Sequence, residues 1–184
     1  MLVIWRICRR KYAATAFGGE GARIAGGRWN RKGTRIAYCG GSLALAALEM
    51  LVHVDVNQLP VDLVCLRAVV PDDVGIEPVD VAKLPRHWRA TPAPDVLQDV
   101  GTDWVARGSS AVLAVPSAII PAEMNYLVNP AHPDFGRIAV GLPEPFAFDP
   151  RLRQPPASPS TPPRVIKMRT PKRPRNTQKP KKRQ

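Results

Sequence analysis

Cysteine is scarce and scattered. Cys8, Cys39 and Cys65 are the only three in 184 residues, with no C-x-x-C pair and no Cys/His cluster of the kind that holds zinc. An odd, dispersed set of thiols reads as free cysteines in a reducing compartment. Histidine is equally sparse: His53, His87 and His132 stand apart, none with a metal-like partner at helical spacing. No metal site is expected. Long apolar runs are missing too, since none approaches the ~18 residues of a membrane-spanning helix. The opening residues, Met1 to Arg6, lack the extended apolar stretch of a signal peptide. The expectation is a soluble cytoplasmic protein with no membrane association. A G-x-S-x-G elbow is absent, which argues against a serine hydrolase. No internal repeat is visible in residues 1–147.

Charge is abundant but badly distributed. The net charge of +12 comes from 27 Lys and Arg against 15 Asp and Glu. Residues 148–184 hold 12 of the basic residues and a single acid, Asp149, so residues 1–147 carry 15 basic against 14 acidic residues. The isoelectric point near 10.4 therefore describes the tail and says little about the domain. From position 148 Pro alternates with Lys, Arg, Ser, Thr and Gln, and such a segment cannot bury enough surface to offset its chain entropy. The expected organisation is a folded domain over 1–147 and a disordered Pro/Lys/Arg-rich tail over 148–184. Non-specific binding of nucleic acid by Lys172, Arg173, Arg175 and residues 179–183 is one reading of the tail. A solubilising extension is the other.

The first 147 residues read as mixed α and β. Apolar patterning predicts strands over 2–7, 35–38, 62–70, 111–115 and 137–142. The Gly- and Arg-rich stretch 18–33 reads as a long ordered loop. Ser42 is a fair N-cap for a helix over 43–53, after the Gly40-Gly41 stop. Leu45, Leu48 and Val52 share one face of that helix, and Glu49 lies beside it. A second helix is expected within 94–107, ended by Gly108. Many strands with two clear helices predict an α+β fold.

Several residues are candidates for chemistry. In Gly26-Gly27-Arg28-Trp29-Asn30 the glycines allow close backbone approach, Arg28 presents a planar fork that matches phosphate oxygens, and Trp29 offers a flat apolar face. The cluster suits a phosphorylated, ring-bearing ligand, or else it is a turn with a solvated Arg and a core Trp. Glu49 is an acid in an otherwise apolar helix. A buried carboxylate is costly unless paired or used, so it is functional, paired with Arg6 or Arg28, or edge-solvated. Ser117 follows an apolar strand and Pro116, at a strand end where ligands are often met, or it caps the next turn. Arg6 lies mid-strand, and alternation does not decide its face. Tyr38 is either a site residue or a core tyrosine.

Taken together, Trp5-Arg6-Ile7, Gly27-Arg28-Trp29-Asn30, Tyr38, Ala46-Ala47-Leu48-Glu49 and Val115-Pro116-Ser117 resemble the RES domain, named for its Arg, Glu and Ser. Asn125-Tyr126-Leu127-Val128-Asn129-Pro130 with His132-Pro133 fits the family's C-terminal part. The resemblance spans about residues 2–145 and excludes the tail. It implies an ADP-ribosyltransferase-like fold, a split, curved sheet with flanking helices. It also implies a bacterial toxin that depletes NAD by cleaving the nicotinamide–ribose bond, with water or phosphate as acceptor; some members modify a protein instead. The implied partner is an Xre-type helix-turn-helix antitoxin. The oligomeric state stays open, a homo-oligomer included. On the same resemblance Arg6 and Arg28 hold phosphates or ribose oxygens and Glu49 stabilises the cationic ribose. Tyr38 meets the nicotinamide ribose, Ser117 orients Glu49 or holds the ribose, and Trp29 and Asn30 line the pocket.

Overall fold

The computed structural model describes residues 1–54 and 58–153. The proposed tail beyond residue 153 lies outside the described residues. Eight strands form one mixed sheet: β1 (Leu2–Arg9), β2 (Ala37–Gly40), β3 (Leu63–Val70), β4 (Ile76–Pro78), β5 (Val112–Pro116), β6 (Met124–Val128), β7 (Ala139–Val140) and β8 (Glu144–Pro145). The order is β4-β5-β6-β2-β1-β3-β7, with β8 also on β3. Only β4 and β5 run parallel; the other pairs are antiparallel. Among the described residues three α-helices accompany the sheet, α1 (Glu20–Ala25), α2 (Leu43–Leu51) and α3 (Val96–Arg107). The α+β class is as expected.

The sheet is split at its centre. β1 pairs with β3 along its whole length, from Leu2↔Val70 to Arg9↔Leu63, but it meets β2 only at Trp5↔Gly40. Strand alternation then sorts the side chains. Ile4, Ala37, Cys39, Val64, Leu66, Val112 and Val128 form a continuous core on one face. The other face carries two separate cores. Leu113, Val115 and Leu127 pack with Trp29, Ile36 and α3's Leu97 and Trp104. Ile7, Leu63 and Cys65 pack with α2's Ala46 and with Leu59. The gap between these two cores lies over the split.

Several expectations need correction. Residues 18–33 contain α1, where Arg23 donates to Glu20 from one turn later. The strand expected over 137–142 is only the two-residue β7, Ala139–Val140, after a 3-10 turn over Pro133–Arg137. β4 and β8 are too short, at three and two residues, to show alternation. The folded unit passes residue 147: Phe148 is buried and stacks edge-on against Phe146 at 5.1 Å, which one apolar residue in a basic, Pro-rich stretch does not announce.

The segment before β2 is fastened to α3 by a contact only glycine permits. A Cβ at Gly101 would lie 2.1 Å from the backbone oxygen of buried Trp29. Gly101→Ala forces backbone apart, and overpacking of this kind costs about 2–3 kcal/mol. The melting temperature is expected to fall by roughly 5–10 °C; an unchanged melting curve contradicts this packing.

Candidate functional site

The site is built around one carboxylate. Ser42 caps α2, its hydroxyl accepting from Leu45 N–H at 3.0 Å, and Leu45 is fully buried. Four residues on, Glu49 is held on the same inward side. The helix sits close to β2 because Gly40 has no side chain: a Cβ there would lie 2.7 Å from Ala46 N. Glu49 thus reaches the strand ends of β5 and β6.

Two donors meet the same oxygen of Glu49. Ser117 Oγ donates to Oε1 at 2.8 Å, and Asn125 Nδ2 donates to it at 2.6 Å. Among the described residues Oε2 accepts no hydrogen bond. Ser117 is fully buried, and its Oγ accepts from the amides of Ile119 and Ile120, each at 3.1 Å. Both acceptor positions of that hydroxyl are filled and its proton is committed to Glu49. Ser117 is therefore a positioning residue with no lone pair left for attack. Asn125 is absent from the sequence-based site residues. Its cue lay in the Asn-Tyr-Leu-Val-Asn-Pro run, but only the β5–β6 register, Val115↔Asn125, brings it beside Ser117.

Tyr38 faces the same gap. Its hydroxyl donates to Asn30 Oδ1 at 2.7 Å and accepts from Trp29 N–H at 3.1 Å. Burial pushes the phenol well above its ordinary range, so it stays neutral. Trp29 and Asn30, expected on the pocket wall, are both buried. Trp29 is only 2% exposed and sits in the α3 core. Asn30 is fully buried, its amide donating to the carbonyls of Ala22, Arg31 and Thr34. Both shape the loop that carries Arg28.

Arg28 and Arg6 differ in placement. Arg28 Nη1 donates to Trp88 O at 2.6 Å and Nη2 to Ala90 O at 3.1 Å. It so holds a strap, residues 84–94, whose Leu84, Trp88 and Ala93 pack on the α3 core. Partial burial lowers the Arg28 pKa, and the negative charge of Glu49 opposes that shift. Arg28 and Glu49 thus share an electrostatic environment without a direct ion pair. Arg6 leaves β1 on the side of Ile4 and Cys8, and its Nη1 donates to Tyr38 O at 2.6 Å. It fills the split where β1 and β2 part, standing in for a ladder bond, while its buried Nε has no partner. Among the described residues no group of three or more His, Cys, Asp or Glu could hold a metal ion, and no helix is long and apolar enough to cross a membrane.

Residues 3–149 match the RES domain model, and the chain belongs to that family. It is 41% identical over 152 residues to a protein of Sphingobium sp. strain YBL2 named Prs ADP-ribosylating toxin, covering 80% of this chain and 94% of that one. It is 38% identical over 155 residues to Toxin Res of Yersinia enterocolitica, covering 83% of this chain and all of that one. The fold is similar to a chain in the crystal structure of the Mycobacterium tuberculosis MbcT–MbcA toxin–antitoxin complex, with TM-score 0.61 and 17% identity over 82% of this chain and 86% of that one.

Removing either donor leaves Glu49 with one tether. A hydrogen bond to a charged group contributes about 1.5–3 kcal/mol. Ser117→Ala and Asn125→Ala are each expected to lower kcat on the natural substrate roughly tenfold to a hundredfold, with a folded protein by circular dichroism. Full activity in both variants contradicts the tethering role.

Proposed function

We propose that this chain is the toxin of a toxin–antitoxin pair and that it depletes NAD by cleaving the nicotinamide–ribose bond. The observation that carries this reading is the Glu49 carboxylate, with Oε1 held by Ser117 and Asn125 and Oε2 without a hydrogen bond among the described residues. The bond is already activated, because nicotinamide leaves as a neutral ring from a pyridinium. As C1′–N breaks, its electron pair passes to the ring nitrogen and positive charge grows on the ribose. Glu49 Oε2 faces that charge and accepts a ribose hydroxyl, while the Ser117 and Asn125 tethers keep the anion in place without neutralising it. Water then bonds to C1′ and loses a proton, giving ADP-ribose, nicotinamide and H⁺; inorganic phosphate serves as an alternative acceptor. Arg28 has three N–H groups beyond those on the strap and offers them to the diphosphate. Arg6 keeps the split open and fixes Tyr38 beside the nicotinamide ribose. NAD is the substrate, and no metal enters the scheme.

A second reading is supported by the name of the Sphingobium relative, an ADP-ribosylating toxin: the same first step followed by transfer of ADP-ribose to a protein side chain. The MbcT–MbcA complex supports a partner antitoxin, for which we propose an Xre-type protein covering the site. Nucleic-acid binding by the basic tail and self-association are further proposals, and they touch none of the residues above.

Glu49→Gln keeps the shape and both tethers but removes the charge. Nicotinamide release from NAD is expected to fall by at least about a thousandfold, with an unchanged melting temperature. Release at the normal rate rejects the role given to Glu49. Mass spectrometry of cell proteins after expression separates the two readings: ADP-ribose adducts that Glu49→Gln abolishes identify transfer, and free ADP-ribose without adducts identifies hydrolysis.

A further inference from the structure

Anchored arginines of the described residues are held in one of two ways. Arg9, Arg31, Arg107 and Arg137 each meet a carboxylate on the surface. Arg6, Arg28 and Arg89 meet none and are held instead by backbone carbonyls, at Tyr38, at Trp88 and Ala90, and at Ala118. The difference matters electrostatically. A carboxylate cancels the guanidinium charge, whereas a carbonyl dipole orients the group and leaves its full charge for another anion.

We propose that Arg89 is a second anion-binding arginine of the site, holding a phosphate of the dinucleotide together with Arg28. This rests on the NAD reading above and extends it to a residue on the strap. Arg28 grips the strap at the residues on either side of position 89. From between them Arg89 projects to Ala118 O, its Nε donating at 3.0 Å. Ala118 follows Ser117, whose hydroxyl holds Glu49 at 2.8 Å. The Arg89 guanidinium is thereby fixed beside the turn that steadies the catalytic acid. Its Nε is used, and both Nη nitrogens have no protein partner among the described residues. The residue is exposed, so this fork is open to a ligand. Two oriented, unneutralised guanidinium groups at one strap fit an anion with several oxygens, and the diphosphate is that part of the substrate. The nicotinamide ribose lies on the Glu49 side and the diphosphate on the strap side.

The test compares Arg89→Met, which keeps the stem and removes the charge, with the unaltered protein on two substrates. NAD and nicotinamide riboside share the scissile bond, but only NAD carries phosphate. For Arg89→Met we expect KM for NAD and Kd for ADP-ribose to rise about tenfold or more. The change in kcat for NAD and in kcat/KM for the riboside is expected to stay within about twofold. Equal losses on both substrates would mean that Arg89 only props the strap, and unchanged KM and Kd would mean no contact; either result overturns the proposal. If the unaltered protein releases no nicotinamide from NAD, it is the NAD reading itself that fails.

Discussion

The bifurcated grip on Glu49 Oε1 is the constraint around which the rest of the structure is arranged. A carboxylate inside a protein is costly to leave ionised without partners, and a cationic partner in direct contact would neutralise the charge that catalysis needs. Ser117 and Asn125 resolve this with two neutral donors at 2.8 and 2.6 Å. Each donor depends on further structure. Ser117 is locked by two amides of its own turn, and Asn125 is placed by its register against Val115 and Gly40. Glu49 arrives because Gly40 lets α2 approach β2 so closely.

The split in the sheet makes room for this arrangement. β1 and β2 share one pairing position, and the Arg6 side chain bridges what the missing ladder bonds leave. On the far side of the gap the Gly27–Asn30 bridge and the Tyr38 hydroxyl hold the Arg28 loop. Arg28 holds the strap in turn. Arg28 is anchored by two carbonyls of the strap, and its charge acts on Glu49 without a direct ion pair. An anionic, cation-forming substrate such as NAD matches that pattern of charge.

Much of this was legible from residue types in order. Ser42 and the apolar spacing of Leu45 and Leu48 mark α2, Gly108 marks the end of α3, and the apolar run ending at Pro116 marks β5. Arg6, Arg28, Tyr38, Glu49 and Ser117 could be picked out before any coordinates. Their grouping could not, because it depends on contacts between residues 68 and 76 positions apart. Asn125 was hidden for the same reason. The burial of Trp29 and Asn30 was not legible, because an aromatic and an amide beside glycines have the same composition in a binding loop and in a packed one. Arg89 stands in a polar stretch with no periodicity, and only the bond to Ala118 O gives it a position.

A structure of the Glu49→Gln protein with intact NAD bound shows whether residue 49 meets the ribose. A nicotinamide-ribose hydroxyl is expected within hydrogen-bond reach of the side-chain amide of residue 49, on the edge turned away from Ser117 and Asn125. NAD bound elsewhere, or a residue 49 side chain released from both tethers and pointing to solvent, would contradict this expectation.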